Sequence, residues 1–117
     1  MIEEPRKILL VDDSRSVRSQ IGGLLTAAGY TVILAEDGQE GWEWLQEHEV
    51  DLIVSDLEMP KLNGLEFCKV VKDDQRLRHI YFILLTGRTE IETRVTGLNT
   101  GADDYIIKTT HADEFIA

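Results

Sequence analysis

The sequence predicts an α/β fold, with a doubly wound, five-stranded parallel sheet, from two features of its hydrophobic pattern. Short aliphatic runs recur along the chain, and the central one, Val50 to Asp56, shows almost no polar alternation, as suits a strand buried on both faces. Between the runs, apolar residues fall at helical spacing. Strands alternating with helices through right-handed crossovers give a parallel sheet covered on both sides.

Lys7 to Val11 is the first strand and ends in Asp12-Asp13. Ser14 is placed to cap the helix that follows, its hydroxyl taking a free amide of the first turn. Val17, Ile21, Leu24, Leu25 and Ala28 define the apolar face of that helix, and Gly29 closes it. Gly22-Gly23 costs roughly 0.5–1 kcal/mol per residue relative to Ala, so the helix depends on packing. Tyr30 to Ala35 is the second strand, and Asp37-Gly38 opens a helix to about His48 with Gly41, Trp44, Leu45 and His48 on one face and Trp42 beside it. The third strand stops at Met59-Pro60, and a loop carrying Asn63-Gly64 leads into a helix over Leu65 to Asp73. Tyr81 to Leu85 is the fourth strand, ending at Thr86-Gly87; a helix over about Glu90 to Thr100 has only Ile91, Val95 and Leu98 as its stripe. Asp104 to Lys108 is the fifth strand, and His111 to Ala117 begins a last helix of roughly 9 Å, short enough that the chain is expected to be cut from a longer protein.

The chain of 117 residues is one ordinary domain without repeats or linkers. Twelve Lys and Arg against 22 Asp and Glu give a net charge of −10, which argues against direct nucleic-acid binding and favours a metal cation or a basic partner. The single Cys68 reads as a core residue. Neither a secretory signal nor a membrane span is visible, and a cytoplasmic location is expected. His48, His79 and His111 lack metal-ligand spacing, and Trp42 and Trp44 read as packing residues.

In a doubly wound sheet the carboxyl ends of the strands share one edge, where ligands bind. That edge collects Asp12 and Asp13 after the first strand, Asp56 after the third, Thr86 after the fourth and Lys108 after the fifth. Taken singly, each is an ordinary helix entry, strand-end hydroxyl or surface charge; taken together they make a site. Carboxylates held near 4 Å repel by about 4 kcal/mol per pair at an effective dielectric of 20, so they call for a cation. Mg²⁺, a hard ion that takes one or two carboxylates, waters and phosphate oxygens, suits them. A carboxylate is also a competent nucleophile towards phosphorus, and phosphoryl transfer asks mainly for positioning and charge stabilisation.

These residues resemble the receiver domains of two-component response regulators. The resemblance runs from Ile8 onward and rests on Leu-Val-Asp-Asp-Ser (10 to 14), Asp-Leu-Glu-Met-Pro (56 to 60), Asn-Gly (63 to 64), Leu-Leu-Thr-Gly (84 to 87) and Gly-Ala-Asp-Asp-Tyr-Ile-Ile-Lys (101 to 108). It implies a flavodoxin-like strand order, 2-1-3-4-5, with the last helix truncated, and a receiver domain over residues 1–117 excised from a longer response regulator. It implies that Asp56 is the phosphoacceptor and that Asp12, Asp13, Asp56 and the backbone carbonyl of Glu58 hold Mg²⁺, with Mn²⁺ as an alternative. Lys108 would bind the phosphoryl oxygens, and Thr86 and Tyr105 would move as a switch. Glu58 and Arg88 would tune dephosphorylation, their opposite charges pairing over the site.

The implied donor is a sensor histidine kinase or a histidine phosphotransfer protein, met by Arg15, Arg18 and the exposed side of the first helix. A phosphorylation-dependent homodimer is a further implied partner state, and neither nucleic acid nor membrane is expected to bind. The helix over Glu90 to Thr100, rich in poor helix formers, and the fifth strand would form the output face. The family usually follows its Lys with a cis Pro, whereas Thr109 stands here; the cost of a non-Pro cis bond predicts a trans bond. The chain would catalyse only its own phosphorylation and dephosphorylation. An aspartyl-nucleophile phosphatase would carry its motif after the first strand, and an FMN-binding flavodoxin would have a Ser, Thr and Gly-rich first loop instead of Asp-Asp. A receiver-like interaction module that is never phosphorylated is the remaining alternative.

Overall fold

The computed structural model describes residues 6–57, 59–86 and 101–107. The strands β1 (Lys7–Val11), β2 (Thr31–Ala35), β3 (Leu52–Asp56), β4 (Tyr81–Thr86) and β5 (Asp104–Ile107) alternate with the helices α1 (Arg15–Ala27), α2 (Gly38–Leu45) and α3 (Gly64–Asp73) up to β4. All pairs are parallel, in the order β2-β1-β3-β4-β5, as expected. The expected helices over Glu90 to Thr100 and His111 to Ala117, and the bond between Lys108 and Thr109, lie outside the described residues.

The continuous aliphatic runs become two cores. Leu9, Val11, Ile53, Phe82 and Leu84 face α2 and α3, where they meet Leu45, Phe67, Cys68 and Val71. Ile8, Leu10, Val54 and Leu85 face α1 and meet Ile21 and Leu25. Because successive strand residues point to opposite faces, a central strand covered on both sides has consecutive apolar residues, as in Ile53 and Val54, with polar Ser55 and Asp56 only at its carboxyl end. Phe67 and Phe82 meet edge to face, their centroids 5.5 Å apart.

Helix ends follow local chemistry. Ser14 caps α1, accepting from the Val17 N–H, as predicted. At the other end Gly29, at φ 102°, lets the Tyr30 N–H return to the Leu25 carbonyl and its own N–H to that of Thr26, a Schellman ending. Asn63 and Glu66 form a reciprocal capping box at the start of α3. The second helix is shorter than expected. It stops at Leu45, where the Arg76 guanidinium from the α3–β4 connection donates to the Leu45 carbonyl and favours the negative end of the helix dipole. His48 thus leaves the helix and is exposed, though its ring stacks on Trp44 at 4.4 Å.

Lys72 joins α3 to the segments that lead into β4 and β5. Its ammonium donates to the carbonyls of Arg78 and Ile80 and, at 2.7 Å, to Asp103 Oδ2. The same Asp103 oxygen accepts from the Phe82 N–H. Nearby, partial burial of the Tyr81 phenol and the carboxylates of Asp104 and Asp103 hold its pKa above the ordinary 10.0. Replacing Lys72 by Met keeps the stem and removes all three donors. With the Lys72 side chain 15% and the Asp103 side chain 34% exposed, the expected loss is about 2 kcal/mol. Urea unfolding measures it, and an unchanged midpoint would contradict this role.

Candidate functional site

The register of β1 on β3 brings the acidic residues together. Val11 lies level with Ser55, so Asp12 and Asp56, the next residues, sit side by side on strands about 4.8 Å apart. Asp12 is fully buried and Asp56 is 7% exposed, whereas Asp13 faces solvent. Each offers a carboxylate oxygen, and these three oxygens lie within 4.8 Å of one another. At that separation two full charges repel by about 3 kcal/mol at an effective dielectric of 20. The set is acidic, oxygen-only and partly open to solvent, and so fits a hard divalent cation that keeps some of its waters.

The backbone around Asp12 is held on several sides. Its N–H donates to the Ala35 carbonyl at 3.1 Å, and its Oδ1 accepts from the Ser14 N–H at 2.9 Å. Its carbonyl accepts from Arg18 Nη1 at 2.6 Å. Arg15 is exposed, as expected, but Arg18 is half-buried and turned back towards the site. Sequence reasoning missed this contact, because a residue six positions after Asp12 on a polar helix start reads equally well as solvated.

The loop after Asp56 is fixed at both ends. The Leu57 N–H donates to Leu85, and the Gly64 N–H returns to the Leu57 carbonyl at 2.9 Å. Farther along, the Gly38 N–H at the start of α2 donates to the Leu62 carbonyl at 3.2 Å. A Cβ on Gly38 would strike that same carbonyl oxygen, so the residue type permits the approach. Lys61 adopts φ 66° and places Nζ 3.7 Å from Oδ2 of the buried Asp37. With the Lys61 side chain 70% exposed, the pair contributes little by itself, and the backbone bonds hold the loop.

Thr86 closes β4 one residue beyond Leu85, which lies level with Asp56, and Tyr105 lies level with Leu84 in β5. Glu58, Arg88 and Lys108 fall outside the described residues, as do the side chains of Thr86 and Tyr105. No helix among the described residues is long and apolar enough to cross a membrane.

Comparison with known proteins agrees with this geometry. The sequence model of the response regulator receiver domain matches residues 8–117. The response regulator MprA of Mycolicibacterium vanbaalenii is 39% identical over 116 residues, covering 97% of this chain and 48% of that protein; the chain thus spans about half the length of such relatives. The chemotaxis protein CheY4 of Vibrio cholerae superposes with a TM-score of 0.90 at 33% identity, over 96% of this chain and 93% of that one. A receiver domain of a Pseudomonas aeruginosa sensor histidine kinase, with a magnesium ion coordinated in its active site cleft, superposes with a TM-score of 0.87 at 27% identity, over 96% and 92%. In sequence, strand order and strand-end chemistry alike, the chain belongs to the receiver domains of two-component response regulators.

Proposed function

We propose that this chain is the phosphoacceptor domain, over residues 1–117, of a longer cytoplasmic response regulator, and that Asp56 takes the phosphoryl group from a histidine kinase or a histidine phosphotransfer protein. The observation that carries the reading is the convergence of three carboxylate oxygens within 4.8 Å at the carboxyl edge of the sheet. Asp12, Asp13, Asp56 and the backbone carbonyl of Glu58 would hold Mg²⁺, with Mn²⁺ able to replace it. When bound, the ion supplies charge neutralisation and orients phosphate oxygens.

The chain's own residues do the rest. Asp56, fixed by β3 and by the loop bonds behind it, directs one carboxylate oxygen at phosphorus. As the new O–P bond forms, the N–P bond of the phosphohistidine breaks and the imidazole keeps the electron pair. Lys108 binds the phosphoryl oxygens that gain charge, and Thr86 and Tyr105 respond to the group and alter the face formed by the segment 90–100 and β5. Glu58 and Arg88 limit attack by water on the acyl phosphate. The phosphorylated chain pairs with a second copy or with an output partner, without binding nucleic acid itself, and catalyses no reaction beyond gaining and losing its own phosphoryl group.

Intact mass after incubation with Mg²⁺ and acetyl phosphate tests the reading. One added phosphoryl group is expected for the wild-type chain, and none for Asp56→Asn or without metal. A wild-type chain that stays unmodified with both acetyl phosphate and a phosphorylated histidine kinase would leave the unphosphorylated interaction module in its place.

A further inference from the structure

We infer that Arg18 is a positioning residue for the acidic cluster, setting how tightly the cluster holds a divalent cation. The inference deepens the reading of Asp12, Asp13 and Asp56 as a metal-dependent phosphoacceptor site and rests on it.

The Asp12 carbonyl that accepts from Arg18 Nη1 at 2.6 Å belongs to the peptide plane leading into Asp13. Holding that oxygen fixes the direction in which Asp13 leaves β1. It also fixes the turn that carries the Ser14 N–H onto Asp12 Oδ1 at 2.9 Å. The bond joins a cationic donor to a buried residue, and such charge-assisted bonds are shorter and stronger than neutral ones. Arg18 itself is carried on α1, whose Ile21 and Leu25 are buried against the sheet. A rigid helix is thereby tied to the one stretch of backbone that bears two of the three acidic residues.

The guanidinium also brings a positive charge towards three carboxylates. Charge alone opposes a second cation, so its removal would tighten metal binding; loss of positioning would weaken it. The two effects have opposite signs, and an affinity measurement separates them. Positioning is expected to dominate. The half-buried guanidinium is partly screened by solvent, whereas the small Mg²⁺ ion demands near-ideal octahedral ligand placement.

Two measurements on the whole chain test this. In the metal-free protein, Arg18→Met is expected to speed amide exchange at Ser14 by about tenfold, with Val54 in β3 unchanged. With Mg²⁺, titration calorimetry of the same variant is expected to show binding about tenfold weaker than wild type, and Arg18→Lys, which keeps the charge and a donor, is expected to recover most of it. Unchanged Ser14 exchange, or Arg18→Met binding Mg²⁺ as tightly as wild type or more tightly, would overturn the inference. If the wild-type chain binds Mg²⁺ no better than Asp12→Asn does, the metal-site reading fails instead and the inference about affinity falls with it. Faster Ser14 exchange in that case would leave Arg18 with only a structural anchoring role.

Discussion

Saturating Mg²⁺ is expected to raise the unfolding free energy of the wild-type chain, and Asp56→Asn is expected to remove that rise while making the metal-free variant more stable than the metal-free wild type. In the absence of metal, the three carboxylate oxygens within 4.8 Å of one another repel by about 3 kcal/mol per pair at an effective dielectric of 20. Asp13 faces solvent, which screens its share, so neutralising Asp56 is expected to add about 1 kcal/mol to the metal-free fold. A ligand that binds only the folded state stabilises it by about 2.7 kcal/mol at a hundredfold excess over its dissociation constant. The wild-type chain is expected to gain that amount, and the variant, which keeps an amide oxygen but lacks the carboxylate charge, is not. Urea unfolding followed by the fluorescence of Trp42 and Trp44, both half-buried, reads the effect. With a chelator the variant unfolds at the higher urea concentration; with Mg²⁺ the order is reversed. A lower metal-free midpoint for Asp56→Asn would mean that the cluster is not held together under repulsion. An equal Mg²⁺ shift in both proteins would place the ion elsewhere.

The parts of this site that the sequence reveals are those fixed by the sheet. A strand buried on both faces cannot alternate, so Leu9 to Val11 and Ile53 to Val54 stand out as continuous aliphatic runs, and their ends mark where Asp12, Asp13 and Asp56 must emerge. Parallel pairing then brings those ends to one edge without any further signal. Ser14 was legible for a similar reason, since its capping bond reaches only three residues. Contacts that depend on a distant segment were not legible. The bond to the Leu45 carbonyl at the end of α2 comes from Arg76, 31 residues later, and nothing within Gly38 to His48 signals that partner. Arg18 read as solvated because its target is a main-chain carbonyl, which leaves no trace in residue type. The latch between Gly38 and Leu62 likewise joins two backbone groups, and only the glycine hints at it. Asn63 and Glu66 are different, because their spacing is itself the capping-box signal and went unused.

The loop bonds behind Asp56 give the largest expected effect of a single methyl group. Gly64 opens α3, and its N–H donates to the Leu57 carbonyl at 2.9 Å. A Cβ there would collide with the carbonyl oxygen of Asp56 and come within 2.9 Å of the Leu57 Cα. Both are backbone atoms, so no side-chain rotation relieves the contact. Moving α3 away is also costly, because Phe67, Cys68 and Val71 are completely buried on the helix face that meets the sheet. The strain must therefore be taken up at Asp56 and Leu57, next to the proposed phosphoacceptor carboxylate. Gly64→Ala is expected to lose about 3 kcal/mol, the upper part of the usual range for overpacking, and to accept phosphoryl groups more slowly at temperatures where it remains folded. Gly23→Ala is the matched control: a Cβ at Gly23 meets nothing within 4 Å, and within α1 it should add roughly 0.5–1 kcal/mol. Urea midpoints that move in opposite directions for the two alanines would place the effect in the collision with the Asp56 carbonyl. A Gly64→Ala chain as stable as wild type, phosphorylated at the wild-type rate, would show that the end of β3 yields easily and that the loop does not hold Asp56 in place.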